Sequence, residues 1–348
     1  LYVLPNRRIK SRIMHFHKQL IFLGLFGASL FTACDSNKKK SQEVSEQPEK
    51  VVNVPSFNAD SAYAYVKQQV DFGPRVPGTE AHKAAAAYFE KKFESFGAKV
   101  QVQEFEVTTF DNQTMTLKNI IASINPSVSK RILLAAHWDS RPFADKDSER
   151  QYEAIDGAND GASGVGVLLE IARSIAGNTK PDVGVDFILF DGEDWGNDTA
   201  FHGDVPLRDG WSSWWCLGSQ YWSKNKHKPG YSAYYGILLD MVGAKNSQFH
   251  KEGGSLRYAP GIVDKVWSRA QKIGYGGYFI NQKQPGITDD HVFVNEFAKI
   301  PMIDIVHYDP AHGYFGDYHH THGDNIDIIS KETLDAVGET VMHVLYYE

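Results

Sequence analysis

Acidic and imidazole side chains stand where several apolar segments of this sequence end. His137 ends RILLAAH, Glu193 and Asp194 come shortly after VGVDFILF, and Asp240 ends YGILLD. The segment DGANDGASG places Asp160 just before a helical pattern, and the loop HHTHGDN follows PMIDIVHYDP. Any one of these residues is more often a helix cap or a satisfied polar group. Together they offer the mixed nitrogen and oxygen ligands of a divalent metal, usually zinc.

The adjacent acids Glu193 and Asp194 indicate two separate roles. Neighbouring residues at a strand end point in different directions. Asp194 could therefore bind the metal while Glu193 acts on the reacting atoms as general acid/base. On its own, the pair would be better explained as a solvated acidic turn, and only the other residues favour the catalytic interpretation.

The elements that must position these residues alternate along the chain. Asn58–Val70 and Thr79–Phe96 have helical spacing, and Lys99–Val107 alternates as an antiparallel strand with one wet face does. The apolar runs NIIASI, RILLAAH, VGVDFILF, YGILLDMVG and PMIDIVH predict buried, mostly parallel strands. Lys331–Tyr346 follows an N-cap at Ser330. The prediction is one α/β domain whose central twisted, mixed but mostly parallel sheet has helices on both faces, with ligands beyond the carboxyl ends of its strands.

Composition excludes some classes of function. The 348 residues carry 36 Lys and Arg against 43 Asp and Glu, so a net charge of -7 gives no reason to expect nucleic acid as a partner. The hydrophobic fraction of 42% is enough for one large α/β core or two modest ones. No internal repeat, second linker or GxSxG nucleophile motif is present, which leaves one metal-dependent domain as the expectation.

The segment Lys18–Cys34 has the pattern of an export signal. A basic start precedes the apolar run Leu20–Phe31, which is shorter than the about 20 residues that span a membrane. The ending LFTAC resembles a bacterial lipobox, which implies lipidation of Cys34. A plain secretory signal or a short anchor is the alternative. Met14 would begin a signal of normal length, so residues 1–13 are a candidate upstream artefact.

Three regions are therefore expected: a signal region with the lipobox (1–34), a flexible polar tether (35–55) and a catalytic zinc-dependent domain (56–348). We expect an exported lipoprotein of the cell envelope, bound to the membrane only through its lipid, and not a cytoplasmic protein. Cys216 would be the only cysteine of the mature domain, so no disulfide is expected within it. Its neighbours Trp214, Trp215 and Leu217 favour packing over a nucleophilic role.

The segment Ser56–Glu348 resembles the zinc aminopeptidases of the co-catalytic metallopeptidase type and, among them, the glutaminyl-peptide cyclotransferases, or glutaminyl cyclases. The order of eight motifs carries this resemblance: VDFGPRVPGTEAH, AHWDSR, DGANDGASGVGVLLEIAR, FDGEDWG, GSQYW, LLDMVGA, TDDHVF and HHTHGDNIDII. Several are weak individually, but their shared order is specific.

The resemblance implies that one zinc per chain is bound by Asp160, Asp194 and His320. His322 and His319 are rival ligands, and His319 stands where relatives carry an aromatic wall residue. Asp194 replaces the commoner Glu, which shortens the reach of that ligand by one methylene but keeps its carboxylate.

The resemblance also implies roles for the remaining acids. Glu193, Asp240 and Asp289 would be catalytic. His137 and Asp240 match the ligands of a second metal in the aminopeptidases, whereas in the cyclases these positions persist without metal and the carboxylate joins a hydrogen-bond network with the acid that matches Asp289.

Three features favour a cyclase over an aminopeptidase. Asp289 and Asp290 precede His291, where peptidases usually carry Ser before Asp-His. Trp195–Leu217 is a long aromatic insertion, although any one of its tryptophans is more often a core residue. The strand segment LLDMVGAKNSQF is also similar to the cyclase version.

Three functions follow as hypotheses. The first is conversion of N-terminal glutamine in peptides or proteins to pyroglutamate with release of ammonia, by a chain expected to be a monomer. The second is a two-metal aminopeptidase, in which Glu193 activates water and Asp160 bridges the metals. The third is a surface lipoprotein that only binds a partner.

Overall fold

A computed structural model describes residues Val51–Glu348. The predictions for residues 1–50, including lipidation of Cys34, lie outside the described residues. Val52 and Val54, in the predicted tether, pack against the hydrophobic core. Within the described residues, no helix is both long and apolar enough to cross a membrane.

Where bounds were predicted, those of the structure agree with them to within one or two residues. The α-helices are α1 (Ala59–Asp71), α2 (Glu80–Ser95), α3 (Ala162–Ala176), α4 (Thr199–His202), α5 (Leu217–Lys224), α6 (Gly253–Tyr258), α7 (Pro260–Lys272), α8 (Asp290–Phe293) and α9 (Lys331–Tyr346). The strands are β1 (Lys99–Thr108), β2 (Thr114–Ile124), β3 (Arg131–His137), β4 (Gly184–Phe190), β5 (Tyr235–Asp240), β6 (Phe249–Lys251), β7 (Phe279–Lys283) and β8 (Met302–Val306). A π-helical turn follows α8, and Ser330 caps α9 by accepting a hydrogen bond from the N–H of Thr333.

The main sheet has the strand order β1-β2-β4-β3-β5-β8. Strands β4, β3, β5 and β8 run parallel, whereas β2 is antiparallel to both β1 and β4. The predicted mixed, mostly parallel sheet is confirmed. NIIASI belongs to the antiparallel strand β2, and the other four apolar runs form the parallel strands. A second sheet, formed by β6 and β7, was not predicted.

Helices cover both faces of the main sheet, as predicted. Along β3, Ile132 and Leu134 join a core cluster shared with α1, α3, α7 and α9, while Leu133 and Ala135 join a second cluster with α5 and the π-helical turn. This alternation is the two-residue period of a strand buried on both faces. The central strands are therefore held by packing on both faces, so the loops at their carboxyl ends begin from well-defined positions.

Gly161 shows how closely the site is built onto the sheet. It lies between Asp160 and helix α3 with φ +49, and a Cβ there would lie 2.6 Å from the carbonyl oxygen of His137 and 2.7 Å from its ring. A left-handed backbone and this close approach both require glycine. The glycine-rich loop thus holds Asp160 against the end of β3.

Candidate functional site

The predicted site residues converge at the carboxyl edge of the parallel strands. His137 ends β3, Asp240 ends β5, and Glu193 lies in the loop after β4. Asp160 lies two residues before the start of α3, and Asp289 is the N-cap of α8. A cavity of about 490 Å³ opens at this edge and is lined by Lys146, Asp160, Glu193, Asn197, Asp198, Thr199, Ser213, Trp215, Asp240, Met241, Gly286, Ile287, Thr288, Asp289, Tyr314, Phe315, His319 and His320.

Asp160, Asp194 and His320 come together on one side of this cavity. Nε2 of His320 lies 3.2 Å from Oδ1 of Asp194 and 3.9 Å from Oδ2 of Asp160. All three residues are buried, and neither carboxylate oxygen of Asp194 has a hydrogen-bond partner among the described residues. Buried polar atoms without partners are costly. Two carboxylates and an imidazole fit the donor set of zinc, and the two carboxylates also lie near cationic groups, Asp160 at 3.0 Å from Nε2 of His137 and Asp194 at 3.5 Å from Nη1 of Arg141.

The rival histidines have other partners. Nδ1 of His319 accepts a hydrogen bond from Nζ of Lys146 at 2.6 Å, which leaves the ring proton on Nε2, 3.8 Å from Asp160. Burial and the neighbouring His320 hold the pKa of His319 well below its usual range. Nδ1 of His322 lies 2.7 Å from Oδ2 of Asp147. His320 lies near both Asp194 and Asp160, whereas His319 lies with Asp160 and His320 in another group of possible ligand atoms.

A second group consists of His137, Asp160 and Asp240. Nε2 of His137 lies 3.0 Å from Oδ1 of Asp160 and 3.2 Å from Oδ1 of Asp240. Burial alone would lower the pKa of His137, but its hydrogen bonds with Asp139, Asp160 and Asp240 raise it well above the usual range. A positively charged imidazole here would compensate the carboxylates, and the same three residues could instead hold a cation.

Glu193 and Asp289 belong to a third group, which also contains Cys216. Burial, together with the charges of Asp289 and Asp194, raises the pKa of Glu193 well above that of an ordinary glutamate, although His137 opposes the shift. Burial likewise raises the pKa of Asp289. A carboxyl whose pKa is displaced upward suits proton transfer near neutral pH.

Three supporting residues were not identified from the sequence. The two carboxylate oxygens of Asp139 accept hydrogen bonds from the N–H groups of Glu193 and Asp194, both at 3.1 Å. The carboxylate of Asp324 accepts a hydrogen bond from the N–H of Asp160 at 3.0 Å. Arg141 donates to the carbonyl oxygen of Asp194 at 2.9 Å. Asp139 and Asp324 lie inside the quoted motifs, but their partners are distant in sequence and no local signal reveals them.

Most tryptophans of the aromatic insertion are packing residues, as the sequence favours. Trp195 and Trp214 belong to a small hydrophobic cluster, and Trp211 packs against another. Trp215 lines the cavity, and its ring stacks on that of His320 with centroids 5.7 Å apart and planes 11° apart. The backbone of His320 is left-handed, with φ 59, a strained conformation that its neighbours must hold.

Sheet order, helices on both faces and a cluster of metal ligands at the strand ends define an α/β protein of the zinc-exopeptidase type. Residues 119–345 match peptidase family M28, and the chain belongs to this family. It is similar to the crystal structure of Bacteroides thetaiotaomicron glutaminyl cyclase bound to N-acetylhistamine, with a TM-score of 0.81 and 51% identity over 85% of this chain and 100% of that one. This likeness confirms the resemblance to bacterial glutaminyl cyclases.

Two further relatives carry peptidase names. A Zn-dependent exopeptidase from Parabacteroides distasonis is 51% identical, with a TM-score of 0.78, over 84% of this chain and 99% of that one. Aminopeptidase YwaD of Bacillus subtilis is 27% identical over 86% of this chain, which spans only 59% of the length of that protein.

The pKa of Asp240 makes stability depend on pH. Burial raises it from 3.8 to about 7, although the hydrogen bond with His137 opposes this shift. Between these values Asp240 binds more proton in the metal-free folded chain than in the unfolded chain, so its contribution to the free energy of unfolding should fall as pH rises. We expect Asp240→Asn to make this fall less steep, by at most about 1.4 kcal/mol per pH unit.

Denaturant unfolding of chelator-treated protein at several pH values between the two pKa values checks this prediction. The exposed Asp204→Asn is the matched control, which should keep the wild-type slope. An Asp240→Asn slope equal to that of wild type would mean that Asp240 is already ionised in the folded chain.

Proposed function

We propose that this chain is a glutaminyl-peptide cyclotransferase that converts N-terminal glutamine of peptides or proteins to pyroglutamate and releases ammonia. The observation that carries the proposal is the position of Glu193. It follows β4 next to Asp194, which lies 3.2 Å from His320, and its own carboxyl lies in one group with Asp289 and Cys216. Glu193, as the proton carrier, would therefore lie between the proposed metal ligands and the acidic residues that would bind the substrate amine.

Asp160, Asp194 and His320 would hold one zinc ion. When bound, zinc polarises the γ-carbonyl of the substrate glutamine, so that its carbon becomes electrophilic. Unpartnered oxygens on Asp194 and the pairing of His319 with Lys146 support this ligand set. The Zn-dependent exopeptidase from Parabacteroides distasonis supports the choice of metal.

The remaining residues handle the amine and the proton. Glu193 takes a proton from the attacking α-amine and delivers it to the departing amide nitrogen. The bond from the α-nitrogen to the δ-carbon forms, the δ-carbon to nitrogen bond breaks, and ammonia leaves. Asp240 and Asp289 line the same cavity and would hold the amine. Because nucleophile and electrophile belong to one residue, correct orientation provides much of the rate.

A two-metal aminopeptidase is the second candidate, and one observation favours it. His137, Asp160 and Asp240 bring three possible ligand atoms together beside the first group. In this alternative Asp160 would bridge two zinc ions and Glu193 would activate a water molecule. A binding protein without catalysis is the third candidate.

One comparison separates the three functions. We expect purified protein to contain one tightly held zinc per chain and to cyclise a peptide with N-terminal glutamine, with little hydrolysis of a leucine peptide. Metal analysis with both assays on one preparation is the measurement. Two zinc ions per chain together with hydrolysis of the leucine peptide would identify the aminopeptidase. Absence of metal together with absence of both activities would identify the binding protein.

Glu193→Gln tests the proton carrier. We expect the variant to keep its zinc but to lose about 10²–10⁴-fold in turnover, since an amide of the same shape cannot carry the proton. The matched control is the exposed Glu94→Gln, which should behave as wild type. Near-normal turnover of Glu193→Gln with full zinc content would remove Glu193 from this role.

We also propose that the chain is exported, carries lipid on Cys34 and acts as a monomer at the cell envelope. The pattern of Lys18–Cys34 supports this. After expression of the full chain, we expect wild type in the detergent phase and Cys34→Ser in the aqueous phase. Equal partitioning of the two would contradict lipidation, and a sedimentation mass of two chains would contradict the monomer.

A further inference from the structure

Cys216 lies where the aromatic insertion meets the loop of Glu193. Its N–H donates to the carbonyl oxygen of Glu193 at 3.0 Å, and the N–H of Leu217 donates to that of Gly192 at 3.1 Å. Two chain segments more than 20 residues apart are thus paired behind the cavity. Cys216 itself is fully buried, with a left-handed backbone at φ 58.

The left-handed backbone is unusual for this residue type. Residues other than glycine avoid that conformation because Cβ crowds the backbone, so it persists only where the surrounding contacts enforce it. Here the backbone pairing with Glu193 and the start of helix α5 enforce it together. As a result the side chain of Cys216 is directed at the carboxylate of Glu193.

The contact between the two side chains is a hydrogen bond. Sγ of Cys216 lies 3.1 Å from Oε1 of Glu193. Burial, together with the charges of Glu193 and Asp290, raises the pKa of the thiol well above its usual range. The thiol therefore keeps its proton and is the donor.

This donor stands out because of what else surrounds Glu193. Asp289 contributes a carboxylate oxygen to the same cluster, and Asp194 is next in the chain. Like charges repel the carboxylate of Glu193 from both directions. Among residues 51–348, only the thiol of Cys216 is a side-chain donor within hydrogen-bond distance of the Glu193 carboxylate.

We propose that Cys216 is a positioning residue for the reaction: its thiol fixes Oε1 of Glu193, so that Oε2 is left to exchange the proton with the substrate. The inference rests on the proposed role of Glu193 as proton carrier. The hydrogen bond involves none of the predicted zinc ligands, so it should act on turnover and leave the metal in place.

Two substitutions test the proposal in the full chain. We expect Cys216→Ala to lower kcat for a peptide with N-terminal glutamine about tenfold, the effect of losing one hydrogen bond to a charged group. KM should change less than about twofold, with zinc content unchanged. Cys216→Ser restores a donor at the same position and should stay within about threefold of wild type.

The outcomes separate this inference from the proposed function. Full kcat in Cys216→Ala would overturn it, as would equal losses in the Ala and Ser variants, because these would indicate packing alone. If wild-type protein hydrolyses peptides and does not cyclise glutamine, the proposed function fails. The same comparison, made on hydrolysis, still decides whether Cys216 positions Glu193.

An infrared measurement tests the contact without any turnover. The wild-type spectrum minus that of Cys216→Ser isolates the S–H stretching band of Cys216. The same subtraction in a Glu193→Ala background gives the band without its acceptor. We expect the band at lower frequency when Glu193 is present, because a hydrogen bond weakens the S–H bond. An identical frequency in both backgrounds would overturn the inference even if every variant were inactive.

Discussion

Mutual repulsion among buried carboxylates is the constraint on which this structure depends. Asp160, Glu193, Asp240 and Asp289 line one cavity at the carboxyl edge of the parallel strands, and Asp194 lies 3.2 Å from His320, which lines it too. Taking a single charged carboxylate out of water costs several kcal/mol, and neighbouring like charges add to the cost. A chain can keep such a group only if cations, N–H donors or bound protons compensate it.

Residues behind the cavity hold the turn that carries Glu193 and Asp194. Asp139 has no proton-transfer role in our proposal. Its carboxylate accepts hydrogen bonds from the N–H groups of Glu193 and Asp194 and so holds the turn from which the two side chains point in different directions. Arg141 supports the same turn from its carbonyl side and stacks over Trp215, with 4.6 Å between the guanidinium carbon and the ring centroid. The adjacent acids can thus face two different groups because backbone contacts fix the turn between them.

The sequence predicted the fold well because apolar periodicity reports burial directly. Burial does not report strand direction, so the pattern could not show that NIIASI, in β2, is the antiparallel member of the set. The strand β6 has only three residues, too few for a pattern. The candidate site residues could be named because each ends a strand or begins a helix. The supporting roles of Asp139 and Cys216 were not predicted, since they depend on hydrogen bonds to residues 54 and 23 positions away.

The choice between cyclisation and hydrolysis depends on electrostatics, since the fold permits both. His137, Asp160 and Asp240 could hold a second cation, so the ligand set alone does not decide. Asp289 also lines the cavity, and it lies in one group with Glu193 and Cys216. Concentrated negative charge attracts an ammonium group and repels hydroxide. A substrate amine would therefore bind beside Asp240 and Asp289, where Glu193 can take its proton as it attacks. Without cations the same carboxylates would disfavour a hydroxide, so hydrolysis would need metal at this group whereas cyclisation would not.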